Sequence, residues 1–312
     1  MKFKKIVAID NTGLESDSKE KLTKYAEEVV LYEDFPSNPL EIISRINGKT
    51  SNNTPADAVL VSWNTQIDRS VIERCSSIRY IGMCCSLLDE KSANVDIQAA
   101  REKGIQVLGI YDYGDEGVVE FIISELIRLF HGFSKQMWKD EPVELTGYKL
   151  GIIGLGITGK MLAKMAIAFG MQVFYYSRTR KPEYEAKGVK YLELPELLAT
   201  VDVVSTHLPK HTIVLGHKEF EDLGKGKILI NTSLEPTFEI EPFIQWIKAE
   251  NNHAIFDKVA MGCQFERLRD IDGVIYSERV SGWTKQAKKR LSEKVIKNIE
   301  TFLSNSKLGL AE

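Results

Sequence analysis

The stretch KLGIIGLGITGKMLAKMAIAFGMQVFYYSRTR, residues 149–180, decides the fold of this chain. An apolar run, Leu150–Ile153, leads directly into three glycines at the spacing Gly154-x-Gly156-x-x-Gly159. Apolar residues then recur at helical intervals, and a second apolar run, Val173–Tyr176, follows. Strand, glycine turn, helix and strand within about 30 residues predict a unit that binds a dinucleotide.

The three glycines have separate physical roles in such a turn. The first permits a tight turn, the second lets a pyrophosphate approach the backbone, and the third lets the helix pack against the strand. The helix N-terminus adds free N–H groups and a partial positive charge. We therefore expect dinucleotide contacts from Gly154, Gly156, Ile157, Thr158 and Gly159. The alternative interpretation is an ordinary strand-to-helix turn that is rich in glycine.

The residues after the second strand bear on which dinucleotide binds. A carboxylate here would bind the ribose 2′-hydroxyl of NAD, but the chain has Ser177, followed by Arg178, Thr179 and Arg180. A guanidinium can bind a 2′-phosphate through two hydrogen bonds, whereas a carboxylate would repel it. We therefore predict NADP(H) in preference to NAD(H), with Ser177, Arg178 and Thr179 as contacts. Cationic clusters are also common on solvated loops, so a purely surface role is the alternative.

Length and composition bound the class of protein. A chain of 312 residues is expected to form two domains. Hydrophobic residues make up 43% and charged residues 27%, and the net charge of −3 argues against nucleic acid as a partner. The 4 cysteines show no metal-binding spacing, so no metal is expected, and a reducing compartment fits them. No apolar run reaches the length of a membrane span, so we predict a soluble, cytoplasmic protein without a membrane partner.

The order of apolar and amphipathic segments predicts the fold class. Short apolar runs alternate with helical segments along the chain, which is typical of α/β proteins with parallel sheets. Near residues 111–114 the alternation breaks, and one long helix is predicted from Val118 to Trp138. Further helices are predicted at Lys19–Ala26 and, near the end of the chain, at Thr284–Ser304. The last helix could pack on the first domain, which would then be discontinuous.

Three further segments, together with the glycine turn, carry a resemblance to a known family. They are Asp202–Pro209 (DVVSTHLP), Asn231–Ser233 (NTS) and Ser281–Thr284 (SGWT). With these motifs in this order, the chain resembles the D-isomer-specific 2-hydroxyacid dehydrogenases, a family that includes glyoxylate/hydroxypyruvate reductases and phosphoglycerate dehydrogenase. The resemblance covers nearly the whole chain and is strongest from Tyr148 to Trp283.

The resemblance implies an architecture and a cofactor site. It implies two doubly wound parallel-sheet α/β domains with a cleft between them. One is a flavodoxin-like substrate domain formed by residues 1–115 and 285–312, and the other is a Rossmann cofactor domain formed by residues 116–284. It also implies a homodimer. Beyond the glycine turn, the cofactor contacts that it implies are His207, Leu208, Pro209, Thr232, Ser233 and Asp257.

The family's proton-handling side chains are not found at the matching positions of this chain. In the family an arginine binds the substrate's carboxylate and carbonyl, and a histidine supported by a glutamate transfers the proton that accompanies hydride transfer. The residues at the arginine, glutamate and histidine positions here are Leu234, Gly262 and Arg279. Arg279 stays protonated near neutral pH, so it is a candidate for anion binding in the active site and not for proton transfer. A solvated or phosphate-paired Arg279 is the alternative.

Other polar and sulfur-containing side chains have weaker signals. The segment Met83–Leu87 stands where the family has a glycine-rich turn facing the substrate, so Cys84 and Cys85 are predicted substrate contacts. Cysteines buried for packing are the alternative. His211 and His217 are interpreted as surface residues. A register slip in the resemblance could hide one of the family's three residues, since Glu235 and Glu266 lie nearby, but it could not easily hide all three.

Two hypotheses about function follow from these observations. The first is an NAD(P)-binding oxidoreductase that acts on the CH–OH group of a small 2-hydroxy acid, or on the matching 2-keto acid, with a non-standard active site. The second is a catalytically inactive nucleotide-binding protein, a sensor or scaffold. Both predict a small anionic ligand in addition to the dinucleotide.

Overall fold

The computed structural model describes residues 2–48 and 54–308, with side chains described as far as residue 305. Residues 309–312 of the predicted C-terminal segment therefore lie outside the described residues. The chain divides into two compact units, one formed by Met1–Tyr113 with Lys285–Glu312 and the other by Gly114–Thr284.

The described part of the first unit is built on a parallel sheet. Its strands are β1 (Phe3–Ala8), β2 (Ala26–Leu31), β3 (Ala58–Val61), β4 (Tyr80–Ser86) and β5 (Gln106–Ile110). Their order across the sheet is β2-β1-β3-β4-β5. Every residue of β3 is buried, because helices cover both faces of a parallel sheet of this kind.

Short capped helices connect these strands. They are α1 (Ser16–Leu22), α2 (Pro39–Ile46), α3 (Arg69–Glu73) and α4 (Ile97–Glu102). Asn38, Asp68 and Asp96 each accept a backbone N–H of the first turn and so fix where three of these helices begin. The predicted helix Lys19–Ala26 is wrong at its end. Backbone pairing of Tyr25 with Phe3 of β1 draws the chain into β2, and this pairing overrides helical propensity.

The second unit is built on a larger parallel sheet. Its described strands are β6 (Lys149–Ile153), β7 (Gln172–Tyr176), β8 (Lys190–Tyr191), β9 (Val203–Thr206), β10 (Ile228–Asn231), β11 (His253–Phe256) and β12 (Val274–Tyr276). Their order is β12-β11-β10-β9-β6-β7-β8. The chain winds outward from β6 in one direction and then returns to β9 on its other side. Ligands bind α/β sheets at such a switch point, outside the carboxyl ends of the strands.

Helices cover the sheet of the second unit. They are α5 (Asp115–His131), α6 (Ile157–Ala168), α7 (Pro182–Glu185), α8 (Leu194–Thr200), α9 (His217–Leu223), α10 (Ile240–Ile247) and α11 (Phe265–Leu268), with a 3₁₀ turn at Gly262–Gln264. The predicted helix Val118–Trp138 is too long by one turn and more. Gly132 adopts a left-handed conformation with φ 67° and ends α5, and Trp138 then packs back on Phe130 with ring centroids 4.9 Å apart.

The C-terminal helix α12 (Lys285–Leu308) returns to the first unit. Its Phe302 stacks on Phe3 of β1 at 5.4 Å and contacts Tyr80 of β4 at 4.9 Å between ring centroids. These aromatic contacts pack α12 against the sheet of the first unit. Among the described residues, no helix is both long enough and apolar enough to cross a lipid bilayer.

Candidate active site

Two glycines of the turn after β6 are required by the packing of the backbone. Gly154 has φ +96°, and a Cβ at this position would lie 2.3 Å from the carbonyl oxygen of His207. A Cβ at Gly159 would lie 2.4 Å from the carbonyl oxygen of Gly154. Both distances are far below contact distance. The turn can therefore bring β6, α6 and the loop after β9 together only with glycine at these two positions.

Gly156 differs from its two neighbours, because nothing lies within 4 Å of a Cβ placed there. Its φ of −79° is accessible to any residue, so backbone strain does not explain the glycine. Gly156 is the N-cap of α6, whose first residue is Ile157. The space beside the N-cap of α6 is thus open, and a side chain at position 156 would partly fill it. This arrangement fits the pyrophosphate of a dinucleotide.

Thr158 and the residues after β7 are the next of the predicted dinucleotide contacts. The Thr158 hydroxyl donates to Asp115, so its hydrogen is already engaged. After β7, the Ser177 hydroxyl donates to the carbonyl oxygen of Thr179 at 2.6 Å and closes a small turn. Arg178 and Thr179 are both exposed on that turn.

The two arginines of this turn differ in whether an acidic side chain pairs with them. Arg180 pairs with Glu185, with its Nε 3.0 Å from Oε1, and its guanidinium lies 4.8 Å from the centre of the Tyr191 ring. For Arg178 the described part of the chain provides no ion-pair partner. Arg178 is therefore the cation of this pair that is available to a ligand.

His207 begins the loop after β9 and is not suited to proton transfer at neutral pH. Its Nε2 lies 2.9 Å from the Ser205 hydroxyl, and burial lowers its pKa to about 4. The ring is thus neutral at pH 7. The next residue, Leu208, donates its backbone N–H to the Ser233 hydroxyl at 3.2 Å, and Pro209 follows. The loop after β9 and the loop after β10 are joined at this point.

Asn231, at the end of β10, positions the loop that follows it. Its amide nitrogen donates to the carbonyl oxygens of Glu235 at 2.9 Å and Ala260 at 3.1 Å. Its amide oxygen accepts the Thr206 hydroxyl at 3.0 Å and the Ser233 backbone N–H at 3.1 Å. One buried side chain thereby connects the carboxyl ends of three adjacent strands. The sequence motif indicated the cofactor loop here, but not this positioning role of Asn231.

Two buried oxygens near these strand ends lack hydrogen-bond partners among the described residues. Asp257, which is 1% exposed, accepts both the backbone N–H and the hydroxyl of Ser281 on one carboxylate oxygen, while its other oxygen has no partner. Burial raises the pKa of Asp257 above the ordinary carboxyl value. The Thr232 hydroxyl is also buried without a partner. Both residues belong to the predicted cofactor contacts.

The three positions matched to the family's arginine, glutamate and histidine do not supply an acid. Leu234 is 40% exposed and apolar. Gly262 has φ +53° and starts the 3₁₀ turn. Arg279 is exposed, and its carbonyl oxygen accepts the backbone N–H of Lys258, the residue after Asp257. This backbone bond holds Arg279 beside the Asp257 strand end.

A histidine–carboxylate pair lies at the same edge of the sheet, at residues that the motifs did not single out. Nδ1 of His211 is 2.9 Å from Oε2 of Glu235. The backbone N–H of His211 also donates to that oxygen at 3.3 Å, across a separation of 24 residues. His211 has φ 60°, in the left-handed region. The interpretation of His211 as a surface residue missed this pairing, because nothing local in the sequence signals a contact between two loops.

The two predicted substrate contacts of the first unit lie inside a strand. β4 continues to Ser86, so the segment at Met83–Leu87 does not form the turn expected there. Cys84 is 0% and Cys85 is 5% exposed, and burial raises the pKa of the Cys84 thiol well above its ordinary value. The Cys85 thiol contacts the Asn94 side-chain oxygen at 3.4 Å. Their burial agrees with the packing alternative and lends no support to substrate contact.

Known proteins of similar sequence place the chain in a family. The profile of the D-isomer specific 2-hydroxyacid dehydrogenase NAD binding domain matches residues 124–260. The hydroxypyruvate reductase of Blautia hydrogenotrophica is 30% identical over 299 residues, which cover 86% of this chain and 87% of that protein. The glyoxylate reductase of Thermococcus litoralis is 28% identical over 271 residues, covering 79% of this chain and 80% of that one.

Solved structures show the same fold. An acyclic imino acid reductase in complex with NADPH and D-Arg superposes with a TM-score of 0.81 at 23% identity, covering 96% of this chain and 97% of that chain. The NAD⁺-bound 3-phosphoglycerate dehydrogenase of Entamoeba histolytica gives a TM-score of 0.79 at 24% identity, covering 98% of this chain and 97% of that one. These likenesses confirm the predicted α/β fold with its parallel sheets of 5 and 7 strands. The sequence relatives establish that the chain belongs to the D-isomer specific 2-hydroxyacid dehydrogenase family of NAD(P)-binding oxidoreductases.

Proposed function

We propose that the protein is an NADP(H)-dependent oxidoreductase that interconverts a small 2-keto acid and the matching 2-hydroxy acid. The observation that carries the proposal is the open space in front of Gly156 at the N-terminus of α6, within a turn whose other two glycines are sterically required. The substrate class is supported by two relatives, a hydroxypyruvate reductase and a glyoxylate reductase.

We assign cofactor binding and substrate binding to separate residues of this chain. Bound NADPH would supply the hydride that reduces the substrate carbonyl. The unpartnered oxygen of Asp257 and the Thr232 hydroxyl would bind polar groups of the dinucleotide near its reactive end. Arg279 would bind the substrate carboxylate, because a guanidinium is always charged near neutral pH and can form two parallel hydrogen bonds with a carboxylate.

Turnover of 2-keto acids tests this proposal directly. We expect the purified protein to consume NADPH when glyoxylate, hydroxypyruvate or pyruvate is added, measured by the loss of NADPH absorbance. Arg279→Ala should raise KM for the keto acid by about tenfold or more, since a charge-assisted pair is lost, while the Kd for NADPH is unchanged. Arg279→Lys serves as the control that keeps the charge. An unchanged KM in Arg279→Ala would contradict the assignment of the carboxylate site.

A second candidate function is a nucleotide-binding sensor or scaffold without catalysis. It is favoured by one specific observation, the apolar or glycine residues at Leu234 and Gly262, where the family carries charged groups. This alternative predicts NADPH binding without consumption of NADPH by any keto acid in the panel. The same assay therefore separates the two functions.

We infer that Arg178 determines the preference for NADP(H). Arg180 is neutralised by Glu185, whereas Arg178 has no ion-pair partner in the described part of the chain. Arg178→Ala is expected to raise the Kd for NADPH by about tenfold, the loss of one charge-assisted hydrogen-bonded pair, and to leave the Kd for NADH unchanged. Arg180→Ala should have a much smaller effect. Both constants can be measured from the fluorescence of the bound reduced cofactors.

The matched pair of arginine variants makes this inference falsifiable. Equal losses of NADPH affinity in Arg178→Ala and Arg180→Ala would contradict the distinction between the two side chains. Ser177→Asp provides a test in the opposite sense, because a carboxylate repels a 2′-phosphate and accepts a hydrogen bond from a 2′-hydroxyl. An unchanged ratio of NADPH to NADH affinity in Ser177→Asp would place the 2′ group elsewhere.

We also propose that the protein is a homodimer that associates through α5 and α6. A groove of about 590 Å³ lies between these helices, and its lining includes Ile127, Met161, Met165 and Phe169. Met165 is 41% and Phe169 39% exposed, and because both line the same groove they contribute to one contiguous apolar surface. A second copy would present the same two helices, so a twofold contact would bury both apolar faces at once.

A further inference from the structure

Two contacts join the loop after β9 to the loop after β10. They are the hydrogen bond from the Leu208 backbone N–H to the Ser233 hydroxyl and the contact of His211 with Glu235. The loop after β9 begins at His207, whose carbonyl oxygen lies against Gly154 of the glycine turn. The pair is thus attached to the carboxyl edge of the sheet, next to the place where the dinucleotide is expected.

The His211 ring is held by one nitrogen and open at the other. Glu235 accepts from Nδ1 and from the backbone N–H of the same residue, which fixes the ring relative to the main chain. Nε2 has no partner among the described residues, and the side chain is 62% exposed. Lys210 also lies at the pair, with its Nζ 3.8 Å from Glu235 Oε1. The nitrogen remote from the carboxylate is therefore the one that can exchange a proton with a bound molecule.

Glu235 also lies beside the glycine that begins the 3₁₀ turn after β11. A Cβ at Gly262 would be 3.9 Å from the Cγ of Glu235. Asn231 supports this placement, because its amide holds the Glu235 carbonyl at 2.9 Å and the Ala260 carbonyl at 3.1 Å. The side chain of Glu235 thus lies beside Gly262, and its carboxylate contacts the His211 ring.

We propose that His211 is the general acid of the reduction and that Glu235 is the residue that positions it. This inference rests on the proposed function. As the carbonyl carbon of the keto acid accepts a hydride from NADPH, its oxygen accepts the proton from Nε2 of the protonated His211 ring. The products are the 2-hydroxy acid, NADP⁺ and a neutral imidazole. The exposed ring is then protonated again from solvent.

Variants of the pair test the proposal, with a matched pair elsewhere in the chain as control. His211→Asn is expected to lower kcat by roughly 10²–10⁴-fold, the usual contribution of general acid catalysis, with the Kd for NADPH unchanged. His211→Gln repeats the test in case the first variant folds poorly. The control is His217→Asn, because His217 is also exposed and lies 3.4 Å from a carboxylate, Glu221. That variant should keep the wild-type kcat.

Two further measurements separate a positioning role of Glu235 from a structural one. In the wild type, kcat for reduction should fall at alkaline pH as the acid is deprotonated, and His211→Asn should lose this limb of the profile. In the protein without ligands, NMR should show the ring resonances of His211 displaced in Glu235→Gln, since the contact between Nδ1 and a carboxylate oxygen is lost. Glu221→Gln should leave those resonances in place.

The outcomes distinguish this inference from the proposed function. Wild-type turnover that persists in His211→Asn would overturn the role of His211 and leave the oxidoreductase function standing. NADPH binding without wild-type turnover of any keto acid would overturn the function and the general-acid role together. A kcat loss shared equally by His211→Asn and His217→Asn would also overturn the assignment.

Discussion

Replacing Gly156 with alanine is expected to weaken NADPH binding by at least about tenfold, which corresponds to 1.4 kcal/mol. The physical reason is that a Cβ at this position meets no protein atom within 4 Å and projects into the space where the pyrophosphate must approach the helix N-terminus. The same openness predicts little damage to the fold. The N-cap loses about 0.5 kcal/mol of stability, because alanine caps a helix less well than glycine.

Gly159→Ala is the variant with which Gly156→Ala should be compared. A Cβ there would collide with the Gly154 carbonyl oxygen at 2.4 Å, so the turn itself must distort. We expect Gly159→Ala to lose about 2–3 kcal/mol of unfolding free energy together with cofactor binding. Titration with NADPH and denaturant unfolding of both variants check the prediction. If Gly156→Ala binds NADPH as tightly as the wild type, the open space does not hold the pyrophosphate.

Phe169→Asp is expected to convert a dimer into a monomer. The side chain lines the groove between α5 and α6, and a twofold contact would bury it together with its copy. An aspartate in place of the aromatic ring loses the apolar burial and must be desolvated, which costs several kcal/mol, and twofold symmetry places two like charges in one interface. The dissociation constant should therefore rise by about a thousandfold or more, since each 1.4 kcal/mol is tenfold. Sedimentation velocity over a range of concentrations measures this directly.

Ile213→Asp is the control for the interface variant. Ile213 is 60% exposed in the loop before α9, outside the lining of the groove. Ile213→Asp should therefore leave the sedimentation coefficient of the protein unchanged. A wild-type protein that sediments as a monomer at all concentrations would rule out the homodimer, and a dimer that survives Phe169→Asp would place the interface on another surface.

Local sequence was sufficient where the physical constraint was itself local. The glycine spacing predicted the turn because tight turning, open approach and close packing each act within a few residues of Gly154, Gly156 and Gly159. Element ends were predicted less well. The helix predicted at Lys19–Ala26 ends earlier than predicted, because the residues after it pair with β1. The long helix also ends early, at Gly132, because hydrophobic periodicity does not predict that this glycine adopts a left-handed conformation.

Charge patterns in the sequence were ambiguous until the partners were known. The sequence alone does not distinguish Arg178 from Arg180. In the structure, Arg180 and not Arg178 pairs with Glu185 and lies against the Tyr191 ring. The cysteines at 84 and 85 illustrate the same point, because the length of β4 decides that they are buried. In each case the answer depends on a neighbour that the local pattern does not contain.

The sequence by itself determined the α/β class, the dinucleotide turn, the family and the unusual residues at Leu234, Gly262 and Arg279. Only the tertiary structure decided that His211 and Glu235, 24 residues apart, are in contact, and that Glu235 lies beside Gly262. The physical reason is sheet order. β9 lies beside β10, and β10 beside β11, so the loops at their carboxyl ends converge, whatever their separation along the chain.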